Sequence, residues 1–209
     1  MMDAALALAW SGLGKTAPNP SVGCILVKDG KIIGKGRTAN GGRPHAEREA
    51  LDATIEDPRG ATAYVTLEPC AHTGLTPPCA DALVEAGIKR VVIGCVDPDE
   101  RTSGAGIARL KAARISVEAS VREAEARMLN AGFFHRIGRG WPLVVVDANP
   151  ATYDLTIHAF ESTDVFGSLQ VFGANGVNRL RILPDSPAAE AAAAANLIDE
   201  VASGLNTPR

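Results

Sequence analysis

Only four of the 209 residues are cysteine. That is too sparse for a disulfide scaffold, and in a reducing compartment so few thiols act more often as metal ligands or core fillers. No run approaches the roughly 18 consecutive apolar residues of a membrane span. The opening Met1-Met2-Asp3 also lacks the basic region of a secretory signal, so the expectation is a cytoplasmic protein with no membrane partner. Charge of one sign does not dominate: formal net charge is −3, and residues 1–140 carry 18 basic against 16 acidic side chains. With basic residues scattered in this way there is no electrostatic footprint for nucleic acid. What is present is 46% apolar and 22% charged residues, the composition of a globular chain that buries a real core. The length suits one ordinary domain and a small appendage.

Composition shifts near Gly140: residues 141–209 carry 3 basic and 8 acidic side chains. Before it, β-branched runs alternate with amphipathic stretches, the pattern of an α/β layered domain. Helices are predicted over 3–11, from about 45 to 51, 78–85, 106–113 and 121–133, and strands over 22–27, 32–36, 64–67, 91–96 and 115–117. Asp29-Gly30 is a strong two-residue hairpin signal between the first two strands. Gly87 and Arg114 hold equivalent places in two similar helix-to-strand corners; a positive φ is common there, so strain or a different turn is expected at Arg114. Past Gly140 the rhythm is lost, with possible strands at 143–146 and 166–172 and an Ala-rich helix over 188–201. Cys24 and Cys95 fall inside strands and read as core residues, and His135 reads as a capping or surface residue.

Three side chains form a zinc set: His45 in Pro-His-Ala-Glu, Cys70 in Glu-Pro-Cys and Cys79 in Pro-Pro-Cys. One imidazole and two thiolates suit tetrahedral zinc, and three protein ligands leave a fourth position for water, the mark of a catalytic site. His45 and Cys79 open predicted helices, whose N-termini favour anionic sulfur. Glu47 stands two residues after His45. With His45 at the helix cap in non-helical dihedrals, both side chains can face one cavity, where the carboxylate can carry a proton from water to a leaving amine. His-x-Glu followed by Pro-Cys is the arrangement of zinc deaminases, so the expected chemistry is hydrolytic loss of ammonia from an amine-bearing ring carbon. The alternative is a purely structural zinc site completed by a further ligand such as His72.

The cysteines are separated by eight residues, Ala-His-Thr-Gly-Leu-Thr-Pro-Pro. That loop, with Pro18-Asn-Pro-Ser-Val-Gly-Cys24, Thr66-Leu-Glu-Pro-Cys70 and Asn130-Ala-Gly-Phe-Phe134, closely resembles the deaminase half of the bifunctional riboflavin-biosynthesis deaminase/reductase family, over about residues 1–145. The resemblance implies a cytidine-deaminase-like three-layer α/β/α fold around a central mixed five-stranded sheet, with a short irregular C-terminal extension. It implies a zinc-dependent hydrolase, a diaminohydroxyphosphoribosylaminopyrimidine deaminase, which converts 2,5-diamino-6-ribosylamino-4(3H)-pyrimidinone 5′-phosphate to the 5-aminouracil nucleotide. His45, Cys70 and Cys79 would hold one zinc per chain, Glu47 would be the proton donor, and Asn19 would contact the substrate. Independently, an amide can meet a pyrimidine edge or ribose; alternatively, Asn19 only stabilises the turn between Pro18 and Pro20. His72 would touch substrate or shape its loop, and Thr76 is a further loop contact. Members of the family associate, which implies a homo-oligomer with a small pyrimidine nucleotide as its partner.

Three departures accompany the resemblance. Arg37-Thr38 stands where the family often has histidine, Leu75 replaces a common lysine or arginine, and Asp147 replaces a lysine of the reductase half. A lost phosphate or ring contact could come from Arg37, Arg43 or Arg101, and the same chemistry on another aminopyrimidine or purine is the runner-up reading. A non-catalytic zinc-stabilised scaffold stands behind both. Residues 146–209 read as a vestigial or replaced reductase segment, acidic and Ala-rich, with no dinucleotide fold; reductase activity and NADPH are not expected.

Overall fold

A computed structural model describes residues 1–74, 77–99 and 103–202. The chain runs α1 (Met2–Gly12), β1 (Gly23–Lys28), β2 (Lys31–Arg37), a short 3-10 turn (Asn40–Gly42), α2 (Ala46–Asp52), β3 (Thr62–Leu67), α3 (Cys79–Glu85), β4 (Arg90–Cys95), α4 (Ala105–Ala112) and β5 (Ser116–Glu118). It continues through α5 (Glu123–Leu129), α6 (Ala131–Arg139), β6 (Leu143–Val146), β7 (Leu155–Ile157), α7 (Val165–Ala174), β8 (Arg179–Ile182), α8 (Pro187–Ala194) and β9 (Glu200–Val201).

The first five strands form one sheet in the order β2-β1-β3-β4-β5. β1 is antiparallel to β2 and β3, and β3, β4 and β5 are parallel, with Cys24 opposite Val65 and Val65 opposite Ile93. The β1–β2 connection has φ of 48° at Asp29 and 77° at Gly30, both positive as a type I′ turn requires. Ile25, Leu26, Val65, Ile93 and Leu110 are completely buried, and helices close both faces as strands read apolar throughout demand. Cys24 and Cys95 lie in this core at 0% exposure. The expected mixed five-stranded sheet is therefore present.

The C-terminal part differs from its expectation. In place of a short irregular extension, β6 to β9 make a second sheet, all parallel, in the order β7-β8-β6-β9. It has its own core of Val144, Val146, Leu169, Leu180, Ile182, Ala188 and Ala192. Residues 166–172, expected as a strand, lie within helix α7 because the Asp164 side chain caps it, accepting from the Gly167 amide at 2.9 Å. The Ala-rich helix stops at Ala194, so that the chain can return as β9 beside β6. The helix expected over 121–133 is two, α5 and α6, separated at Asn130, whose side-chain oxygen accepts from the Ser21 amide. His135, expected at a capping or surface position, has a side chain only 10% exposed, packed near Trp141 and 3.8 Å from Asp199. Among the described residues, no helix is long and apolar enough to cross a membrane.

Candidate metal centre and active site

β3 ends at Leu67 and delivers Glu68-Pro-Cys70 to the carboxyl edge of the parallel strands, where α/β sheets commonly form clefts. Helices α2 and α3 point their N-termini at the same place. His45 is the N-cap of α2, with extended dihedrals of φ −73° and ψ 161°, and Glu47 lies in the first turn behind it. Cys79 opens α3. The Ala80 amide donates to the Cys70 carbonyl at 3.1 Å, and the Cys79 amide donates to Cys70 Sγ at 3.3 Å. The helix start therefore solvates the sulfur it faces.

The ligand atoms of His45, Cys70 and Cys79 all lie within 4.8 Å of one another. His45 Nδ1 is 3.7 Å from Cys70 Sγ and 3.4 Å from Cys79 Sγ. Edges of a zinc tetrahedron built from usual Zn–N and Zn–S bonds are about 3.4–3.8 Å long, so the donor set and its spacing fit one zinc ion. His72 is not in this cluster, which counts against its service as a fourth ligand. It lines the same cavity instead.

Electrostatics around the three donors are strongly biased. The Cys79 thiol and amide, together with His45, hold Cys70 down to about 4 against its burial. Cys79 is pushed up, chiefly because its proton is shared with Cys70 and because it is buried. The hydrogen bond to Cys70 raises His45. Glu47 is 4% exposed, and burial beside the Cys70 thiolate pushes it up to about 7; it is also in hydrogen-bonding contact with Cys79. A carboxyl poised near neutrality can take up and release a proton at working pH.

His45, Glu47 and Cys70 open onto a cavity of about 300 Å³. Asn19 is on its wall, with Nδ2 2.6 Å from the Gly42 carbonyl and 3.4 Å from His45 Nε2. Thr76, Leu75 and Arg101 lie outside the described residues. Of the other arginines considered, Arg43 lines the cavity, whereas Arg37 donates to the Thr38 carbonyl and to Asn40 and is not on the wall. The sequence reading missed Arg136, which lines the cavity with Phe133 and Ile137. Their i, i+3, i+4 spacing on α6 was the available signal. It also missed Glu68, a buried wall residue whose carboxylate accepts from the Gly104 and Ile107 amides at 3.0 and 3.1 Å.

Residues 1–95 match the family model described as the cytidine and deoxycytidylate deaminase zinc-binding region. The chain is 50% identical over 143 residues to the riboflavin biosynthesis protein RibD of Escherichia coli, covering 68% of this chain and 39% of that protein; it thus spans about two-fifths of the length of such relatives. It is 44% identical over 141 residues to a diaminohydroxyphosphoribosylamino-pyrimidine deaminase of Buchnera aphidicola, covering 68% of this chain and 96% of the relative. Among solved structures, the Thermotoga maritima diaminohydroxyphosphoribosylaminopyrimidine deaminase/5-amino-6-(5-phosphoribosylamino)uracil reductase aligns with TM-score 0.80 at 25% identity, over 93% of this chain and 82% of that one. Acinetobacter baumannii RibD aligns with TM-score 0.76 at 28% identity, over 99% of this chain and 87% of that one. A relative matched almost end to end, together with a donor set built for one zinc, establishes that the chain belongs to the diaminohydroxyphosphoribosylaminopyrimidine deaminase family of zinc-binding deaminases.

Proposed function

We propose that the chain catalyses hydrolytic deamination of 2,5-diamino-6-ribosylamino-4(3H)-pyrimidinone 5′-phosphate to 5-amino-6-(5-phosphoribosylamino)uracil and ammonia. The observation that carries this reading is the buried Glu47 carboxyl beside a His45, Cys70 and Cys79 cluster of zinc-binding dimensions, in a chain with a relative, matched over 96% of its length, that bears the name of that deaminase. Zinc held by the three donors supplies Lewis acidity that brings the ionisation of water near neutrality. Glu47 takes a proton from the attacking water and returns it to the departing amino group, so one C–N bond breaks, one C–O bond forms and ammonia leaves. Asn19 orients the pyrimidine beside His45, and His72 and Thr76 serve as further substrate contacts.

The same reading makes residues 1–145 the deaminase domain and residues 146–209 a reduced remnant of the reductase half, without NADPH chemistry. Alignment of the Thermotoga maritima deaminase/reductase over 93% of the chain supports the second assignment. A homo-oligomer in the cytoplasm completes the reading. Because Arg37 is engaged with Thr38 and Asn40 and is not on the cavity wall, a different aminopyrimidine nucleotide is the second candidate substrate.

Ammonia release from the riboflavin-pathway nucleotide by zinc-replete protein tests the proposal, alongside a panel of cytidine, deoxycytidylate and guanine substrates. Turnover of the pathway nucleotide alone is the expected outcome. Stoichiometric zinc with no turnover would overturn it, and preference for another ring would move the assignment to the second candidate. Titration with NADPH is expected to show no saturable binding.

A further inference from the structure

The start of the second sheet's strand β8 abuts the loop that carries Asn19. The loop between α1 and β1 is held from its own domain by the Ser21 amide on Asn130 Oδ1 at 3.0 Å and the Ser21 hydroxyl on the Ala9 carbonyl at 2.6 Å. The Asn19 carbonyl accepts from Thr16 Oγ1 within the loop at 3.1 Å, and it and the Pro18 carbonyl are also reached from outside it. Arg136 Nη2 donates to the Pro18 carbonyl at 2.8 Å, while Arg136 Nε donates to Asn178 Oδ1 at 2.7 Å. Asn178 Nδ2 lies 3.4 Å from the Asn19 carbonyl. Asn178 is itself 7% exposed and fixed at the entrance to β8, because its amide and that of Arg179 both donate to Asp154 Oδ2 at 2.8 and 2.9 Å. Gly176 closes the contact: its φ is 87°, and a side chain there would stand 2.5 Å from Pro18 Cβ.

A long guanidinium loses substantial rotamer freedom when it is pinned. Asn178 supplies a planar oxygen that settles the Nε side of the fork, leaving Nη2 aligned with the Pro18 carbonyl. Without the Asn178 side chain, Arg136 Nε loses its acceptor and Nη2 its alignment with the Pro18 carbonyl, and the Asn19 carbonyl loses the donor reaching it from the start of β8. Asn19 then keeps its Gly42 contact and the Thr16 hydroxyl on its carbonyl at 3.1 Å, but nothing from the second sheet anchors the Pro18–Asn19 backbone.

We propose that Asn178 is a positioning residue for the deaminase site. Acting through Arg136 and the carbonyls of Pro18 and Asn19, it fixes Asn19 against His45, so that residues 141–202 are part of the catalytic apparatus of the first domain. This rests on the reading of the site given above, in which Asn19 contacts the substrate.

The test compares the full-length, zinc-loaded protein with Asn178→Ala and Asn178→Asp, the latter keeping an oxygen opposite Arg136 Nε. Asn178→Ala should raise KM for the pathway nucleotide and lower kcat/KM on the order of 10- to 100-fold, as misplaced substrate contacts do, with one zinc per chain retained. Asn178→Asp should recover most of that loss. A fall in melting temperature with KM unchanged, or an Asp variant no better than the Ala variant, would overturn the proposal. A second measurement needs neither substrate nor a folded variant. In the unmodified protein under mild denaturant, amide exchange at Asn19 and Ser21 should rise together with exchange in β8; independent opening of the two would also refute the idea. If the unmodified enzyme fails to release ammonia, it is the proposed function that falls, and exchange still decides the role of Asn178.

Discussion

Gly87 and Arg114 occupy the same point in two copies of one helix-ending turn, with φ of 69° and 64°. After α3, the Ile88 amide reaches back to the Leu83 carbonyl at 3.1 Å and the Gly87 amide to Val84 at 2.9 Å; after α4, Ile115 reaches Leu110 at 3.0 Å and Arg114 reaches Lys111 at 2.9 Å. This is the Schellman pattern, in which a left-handed residue lets the last carbonyls be satisfied. Glycine adopts it freely, whereas an arginine pays steric strain of about 1–2 kcal/mol. Arg114→Gly should therefore stabilise the protein by about 1 kcal/mol, seen as a higher urea midpoint with an unchanged slope. A lower midpoint would show that the arginine side chain contributes more than its backbone costs.

Glu68 ties the zinc-bearing loop to the start of α4 through two backbone amides while 97% buried from solvent, its exposure being 3%. Glu68→Ala leaves those donors without their charged acceptor and should cost about 1.5–3 kcal/mol. Thermal unfolding of the variant measures this. A loss below about 0.5 kcal/mol would mean that water replaces the carboxylate without penalty.

Glu47→Gln keeps the shape of the side chain but removes the proton transfer that the proposed reaction assigns to it. Turnover should fall by at least about 10²- to 10⁴-fold, with zinc content unchanged by elemental analysis. In metal-free protein the raised value of about 7, against 4.5 for an ordinary glutamate, means that the folded state holds a proton the unfolded state has released. That stabilising contribution is complete below about pH 4.5 and is lost as pH rises through about 7. The stability advantage of the unmodified chain over Glu47→Gln should shrink from pH 5 to pH 8 in urea titrations; a gap that widens would reverse the assigned sign.

Metal removal should separate the thiols. Cys70, held down to about 4, is a thiolate at neutral pH in the stripped protein, whereas burial keeps Cys24 raised and pushes Cys95 up to about 12. Iodoacetamide should label Cys70 first, zinc should protect it, and Cys24 and Cys95 should react only after denaturation. Mass spectrometry showing equal labelling of all four would contradict the arrangement.

Leu169 is wholly buried between the second sheet and its helices. Leu169→Ala should cost about 2–5 kcal/mol. Calorimetry showing no change would mean that this small core is not cohesive.

Where the sequence was legible, local chemistry was decisive. Asp29-Gly30 permits few conformations other than the tight hairpin turn it forms, and His45, Cys70, Cys79 and Glu47 carry their chemistry in residue type. The second sheet was harder. Phe166, Val171 and Phe172 suggested an extended run by their preference for strands, yet the Asp164 cap starts a helix, and that capping signal was present in the sequence. The four-residue strands β6 and β8 carry too little periodicity to announce a sheet, and their parallel pairing depends on the intervening chain folding back.

From the sequence alone came the ligand types, the carboxyl beside them and the places of the first five strands along the chain, because each follows from side-chain chemistry or from periodicity over a few residues. Only the tertiary structure decided that Arg136, 118 residues from Pro18, and Asn178, 159 residues from Asn19, would meet at the Asn19 loop. Contacts at such separations are set by how helices and sheets pack against each other, and packing geometry leaves no repeating mark in the chain.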